Sequence, residues 1–133
     1  SGVTQEEILK VSAPQGWVLS AIPGSKGITV GGSIAADCHG KNHFIRGSIS
    51  RHLLSMRIML GNGEVVAASR DTMSDLFWAT LGGLGLTGVI ISVKLRLHQI
   101  SSVYAIKHPK INPSYLRTRE LSNRYDFGHH SCI

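Results

Sequence analysis

Twelve of the fifteen glycines in this 133-residue chain fall between Gly24 and Gly88. A backbone interrupted so often cannot sustain long helices, and it marks places where the chain turns sharply or approaches another group closely. Gly83-Leu84-Gly85-Leu86-Thr87-Gly88 matches G-x-G-x-x-G letter for letter. A dinucleotide fingerprint of that form needs a strand before it and a helix after it, so that a pyrophosphate can rest on the helix N-terminus. The surrounding pattern runs the other way. Asp71 to Leu81 spaces Leu76, Phe77 and Leu81 as one helical face. Val89-Ile90-Ile91 then leads into the alternating Ser92 to His98, a strand with one wet face at its far end. The motif is read as a helix-to-strand turn.

Gly31-Gly32 is the more informative pair. It follows the extended Ile28-Thr29-Val30 and precedes Ser33-Ile34-Ala35-Ala36-Asp37, which has helical composition. Free amides and a positive dipole end at such a helix start favour a phosphate, although a Gly-Gly before a helix is more often only a turn. Elsewhere Thr4 and Glu7 form a capping box that opens a helix from Gln5 to about Ser12, burying Ile8, Leu9 and Val11. Trp17 to Ile22 reads as a short buried strand. Leu53 to Leu60 and Glu64 to Ala68 read as a hairpin around Gly61-Asn62-Gly63. After Gln99 the pattern fades into a polar stretch with Pro109 and Pro113, in which Tyr115 to Tyr125 is a candidate helix. The class is α+β, with no regular βαβ alternation. Residues 1–98 form a patterned domain, and residues 99–133 a basic, poorly patterned tail or the start of another.

Composition excludes several functions. Hydrophobic residues make up 42% and charged residues 17%, which suits a folded core and not a disordered chain. The longest nearly apolar run, Gly82 to Val93, is far short of the roughly 20 residues of a membrane-spanning helix. Ser1-Gly2-Val3-Thr4 has no basic head followed by an apolar middle, so no signal peptide is expected in these residues. Residues 94–133 hold seven Lys/Arg against two Asp/Glu, so most of the +6 net charge lies there. Tyrosines scattered through that region form no basic-aromatic face, which argues against nucleic acid. Cys38 and Cys132 are too few for a disulfide scaffold and are read as reduced thiols. Cys38, His39 and His43 offer metal ligands, but Gly40 and Asn42 break the regular element a zinc site would use, so no metal is expected. No nucleophile elbow and no evident pair of catalytic carboxylates appears.

The ordered set Pro23-Gly24, Thr29 to Ala35 and Asp37-Cys38-His39-Gly40-Lys41-Asn42-His43 resembles a known pattern. It is similar to the second half of the PCMH-type FAD-binding domain in the vanillyl-alcohol-oxidase/p-cresol-methylhydroxylase superfamily. The nearest branch is that of the decaprenylphosphoryl-β-D-ribose oxidases. The similarity continues through Ser55-Met56, Gly63-Glu64, Leu76 to Thr80 and the glycine turn, and so covers about residues 2–98. Carried over by position, the resemblance places Gly24, Thr29, Val30, Gly31, Gly32, Ala36, Asp37, Cys38, His39 and Ile90 along the flavin and its pyrophosphate. Cys38 departs from the aliphatic residue usual in the ribose oxidases, and Ala36 stands where a cysteine is often found.

The resemblance implies an internal piece of an FAD-dependent oxidoreductase acting on a sugar secondary alcohol, with a partner reductase. An aldonolactone or alditol oxidase is the alternative within the class, and a non-catalytic binding or assembly module the alternative outside it. Catalytic residues are not assigned, because none matches the substrate-side Lys or Tyr of the family. The expected setting is cytoplasmic, with membrane association through a lipid-linked substrate. Open sheet edges near Trp17–Ile22 and Leu53–Leu60 are expected to favour a homo-oligomer.

Overall fold

A computed structural model describes residues 1–102. Four short helices and five strands follow in order: α1 (Gln5–Ser12), β1 (Trp17–Leu19), α2 (Val30–Ala35), α3 (His43–Arg46), β2 (Leu53–Met59), β3 (Val65–Ser69), α4 (Ser74–Thr80), β4 (Val89–Leu95) and β5 (Leu97–Gln99). The candidate helix Tyr115–Tyr125, the pair His129-His130 and Cys132 lie outside the described residues.

Helix α1 starts as its capping box dictates: Thr4 Oγ1 accepts from the Glu7 amide, and the Glu7 carboxylate accepts from the Thr4 amide. Its buried positions are the polar Gln5 and Ser12, whereas Val11, expected inside, is 66% exposed. The reason is that α1 packs through its N-terminal turn against the chain before α2, where the Gln5 amide reaches the Ile28 carbonyl at 3.0 Å.

The core lies on one face of a three-stranded antiparallel sheet ordered β3-β2-β4. Leu53, Met56 and Ile58 of β2 turn inward beside Ala68 and Ile90, and Ile34 of α2 and Phe77 of α4 close over them. Full burial of a side chain like Phe77 is worth about 1.5–3 kcal/mol. Strand β2 is therefore the central strand and not the open edge expected for Leu53–Leu60; the edges belong to β3 and β4. The loop 61–63 closes the β2–β3 hairpin, with Gly63 at φ +84° and the Leu60 amide on the Glu64 carbonyl at 2.8 Å. An irregularity sets Arg57 opposite Ser92 but Ile58 opposite Ile90, leaving Ile91 unpaired with β2.

The expected strand Trp17–Ile22 shortens to β1, which pairs with β5 as a separate two-stranded sheet. Trp17 is 41% exposed, because a two-stranded ribbon leaves its outward positions in water. His98 of β5 and Arg46 of α3 then join across the chain, with the guanidinium 3.1 Å from the imidazole Nε2. His52 lies beside them, its Nε2 2.9 Å from the Arg46 carbonyl.

Burial is the main influence holding the His52 imidazole below its ordinary range; the hydrogen bond to Arg46 opposes it, and the charges of Arg46, Arg51 and Arg96 add to it. A histidine with a lowered folded value takes up its proton first in the unfolded chain. Its contribution to stability is therefore present above the ordinary value of 6.5 and is lost as pH falls below that point. Urea midpoints between pH 7.5 and 5 should fall less steeply for His52→Gln than for the wild-type chain. Equal slopes would remove His52 from the account.

Candidate functional site

Thr29 has extended backbone, and its hydroxyl accepts from the Gly32 amide at 3.1 Å, which makes it the N-cap of α2. The helix therefore begins at Val30, three residues before the expected start, and Gly31-Gly32 form its first turn. That placement decides what their amides do. Val30 N–H donates to the Val3 carbonyl at 2.9 Å, Gly31 N–H to the Ser1 carbonyl at 3.0 Å, and Gly32 N–H to the cap. All three first-turn donors are engaged within the chain.

Unengaged amides lie one loop earlier. Among the described residues, no hydrogen bond is donated by the N–H groups of Gly24 to Gly27, whereas Ile28 closes a turn over Lys26 and Gly27. The loop is anchored by its carbonyls, since Lys26 and Ile28 accept from the Glu6 and Gln5 amides at 2.9 and 3.0 Å. The Lys26 ammonium also meets the Glu6 carboxylate at 3.2 Å, the main reason that carboxyl titrates below its usual range. Gly24 is exposed, and a Cβ there would meet nothing within 4 Å. A run of exposed residues with undonated amides on an anchored loop, with a bare glycine at its start, fits an oxygen-rich anion.

At the other end of α2, Ala36 is exposed and Asp37 takes a left-handed conformation at φ +41°. The Asp37 carboxylate accepts from the Ser48 hydroxyl at 3.0 Å and the Ser50 amide at 3.1 Å. It clamps the segment 48–50. Cys38 is half-buried and held by its backbone, which donates to Ser33 and accepts from Ile49. His39 is exposed, its ring 4.8 Å from that of His43 between centroids. Gly40 is buried for a plain reason: a Cβ would fall 2.7 Å from the Ile22 carbonyl oxygen.

The glycine turn docks on this end of α2. Gly82 N–H reaches the Ile34 carbonyl and Leu84 N–H the Ala35 carbonyl, at 3.1 and 2.9 Å. A Cβ on Gly83 would lie 2.2 Å from the Ala79 carbonyl oxygen. With α4 before it and β4 after it, the G-x-G-x-x-G stretch is the helix-to-strand turn its context predicts. Val30 and Ile90 are core residues at 2% and 7% exposure, so neither side chain can line a ligand. Ile90 offers only its backbone, and its carbonyl accepts from the Ser1 hydroxyl.

Residues 1–69, just over half of the chain, match the family model described as FAD binding domain. The chain belongs to the FAD binding domain family. FAD is the cofactor of that family, and its fold is of the PCMH type. Among curated relatives, decaprenylphosphoryl-β-D-ribose oxidase of Mycolicibacterium smegmatis is 41% identical over 80% of this chain and 23% of its own length. Cytokinin dehydrogenase 3 of Arabidopsis thaliana is 37% identical over 53% of the chain and 13% of its own length. D-arabinono-1,4-lactone oxidase of Yarrowia lipolytica is 26% identical over 81% of the chain and 20% of its own length. The chain thus spans less than a quarter of each of these relatives.

Two features of this FAD binding domain escape sequence reasoning. The Ser48–Ser50 clamp on Asp37 has no sequence signal, because serines eleven and thirteen residues away are indistinguishable from loop serines. The amides of residues 24–27 carried a signal: Pro23-Gly24 followed by Gly27 marks a turn-rich loop with little side chain over its backbone. Among the described residues, no three His, Cys, Asp or Glu side chains converge as a metal site, and no helix is long and apolar enough to cross a membrane.

Proposed function

We propose that this chain is the cofactor-contacting part of an FAD-dependent oxidoreductase that oxidises a sugar secondary alcohol to a ketone. The observation that carries this reading is the 41% identity to decaprenylphosphoryl-β-D-ribose oxidase over 80% of the chain, well beyond the 69 residues of the family match. The substrate by this reading is a polyprenyl-phosphoryl ribose oxidised at its 2-position, with a partner reductase acting on the ketone. The setting is cytoplasmic, at a membrane surface to which the lipid-linked substrate draws the enzyme.

Bound FAD supplies the two-electron acceptor for the hydride. The amides from Gly24 to Gly27 would hold the diphosphate, on a loop whose Lys26 and Ile28 carbonyls anchor it to α1. Gly32 and Ala36, both exposed on α2, leave the cofactor a side-chain-poor wall. His39, exposed and with its ring 4.8 Å from that of His43, would meet the flavin. Asp37, Cys38 and Ile90 contribute through the backbone they fix.

A second reading within the class is an aldonolactone oxidase, which the 26% identity to D-arabinono-1,4-lactone oxidase over 81% of the chain favours. The full-length polypeptide purified without added cofactor should be yellow, with about one flavin per chain. It should turn over decaprenylphosphoryl ribose and not an aldonolactone. A colourless protein that takes up no FAD on titration would end the cofactor reading. Lactone turnover without sugar-lipid turnover would reverse the order of substrates.

A further inference from the structure

Gln5 opens α1 and is fully buried, a polar side chain where α1 meets both the loop 24–28 and α2. Its backbone amide donates to the Ile28 carbonyl at 3.0 Å, at the end of that loop. Its side-chain Nε2 donates to the Ser33 hydroxyl of α2 at 2.9 Å. Ser33 is equally buried, and its hydroxyl donates in turn to the Thr29 carbonyl at 3.0 Å. Thr29 is the residue that caps α2. Gln5 thus joins the loop that offers amides to the helix that offers a side-chain-poor wall.

The Ser33 proton decides which way the Gln5 amide points. With that proton committed to Thr29, Ser33 has only a lone pair for Gln5. The NH2 end of the Gln5 amide therefore turns to α2, and the carbonyl end turns away. Among the described residues, the buried Gln5 Oε1 meets no donor. A buried acceptor left unpaired costs at least as much as one neutral hydrogen bond contributes. Leucine would fill a similar volume with neither the bond nor the unpaired oxygen. Net stability therefore does not account for a glutamine here, and the directed tie to Ser33 does.

We propose that Gln5 is a positioning residue of the candidate cofactor site, fixing the offset between the loop 24–28 and α2. That role rests on the FAD reading; the hydrogen bonds themselves do not. The first turn of α1 holds the loop at its Lys26 and Ile28 carbonyls, through the Glu6 and Gln5 amides. Any residue but proline supplies such amides. The Gln5 side chain carries that anchorage on to α2. Substituting it leaves the loop fixed to α1 and loosens α2 against the loop.

The test is a double-mutant cycle in the full-length polypeptide, reading the thermal midpoint and the FAD dissociation constant by flavin fluorescence. Gln5→Leu removes the bond and the unpaired acceptor together, and should keep the midpoint within about two degrees of wild type. It should weaken FAD about threefold to tenfold. Ser33→Ala strands the Gln5 Nε2 donor in the interior, and should lower the midpoint by several degrees with a similar loss of FAD. The double variant should regain the midpoint of Gln5→Leu and bind FAD no more weakly than either single variant. Unchanged FAD affinity in Gln5→Leu, or losses that multiply in the double variant, would overturn the role. So would a midpoint several degrees lower in Gln5→Leu, because Gln5 then supports the fold at large. Wild-type protein that takes up no FAD overturns the cofactor reading and this role together. Wild-type binding beside an unaffected Gln5→Leu overturns the role alone.

Discussion

Gly88→Ala should cost about 3–5 kcal/mol, enough to bring a domain of ordinary stability close to unfolding. Gly88 has φ +147°, a region open essentially to glycine alone. A Cβ there would fall 2.4 Å from the Met59 carbonyl oxygen and 2.9 Å from Ile58 Cγ2. Both belong to β2, the strand against which β4 begins with Val89 opposite Met59. Alanine must therefore change the backbone angle or push the start of β4 away from the sheet. Gly85→Ala is the matched control, with φ +82° and nothing within 4 Å of its Cβ position. It should cost only about 1 kcal/mol. Urea unfolding of the two variants decides the matter. Equal losses would show that backbone angle alone, and not the approach of β2, dictates Gly88.

Asp37→Ala should destabilise the chain by about 3 kcal/mol, with or without FAD present. The Ser48 hydroxyl and Ser50 amide lose a charged acceptor, worth about 1.5–3 kcal/mol per bond when fully buried and less at this half-buried site. Alanine also tolerates the left-handed backbone at φ +41° less well than aspartate does. Asp37→Asn keeps an acceptor oxygen and that backbone tolerance, and should cost roughly 1 kcal/mol. The contrast separates a clamp from a cofactor contact. A contact would show as lost FAD affinity at an unchanged urea midpoint, and that result would return Asp37 to the flavin.

The sequence made legible whatever rests on local chemistry. Thr4 and Glu7 specify a cap through atoms three residues apart, and α1 begins where they place it. Gly63 between two apolar runs closes the β2–β3 hairpin, and the glycine turn keeps its helix-to-strand order. What stayed hidden depends on residues far apart in the chain. Composition put the start of α2 at Ser33, because glycines read as pre-helical; the Thr29 cap and the Val3 and Ser1 carbonyls make a helical turn of them. Trp17–Ile22 reads as buried, because an apolar run says nothing about its partner being the short β5. The resemblance places Asp37 and Ile90 along the flavin by position, but position alone cannot tell a side chain that clamps or packs from one that faces a ligand.

Ile34 of α2 packs in one core with Ile90 of β4, 56 positions later, and the link from Arg46 to His98 spans 52. A ribosome releases a chain from its N-terminus at roughly 5–20 residues per second. Helix α2 therefore waits several seconds for the strand that completes its surroundings, while the β2–β3 hairpin has every pairing residue to hand as soon as Ser69 emerges. The core around α2 is therefore completed only once β4 has been made. A nascent product arrested before residue 89 would own the hairpin, the caps of α1 and α2 and the glycine turn docked on α2, yet lack the Ile90 side of the core.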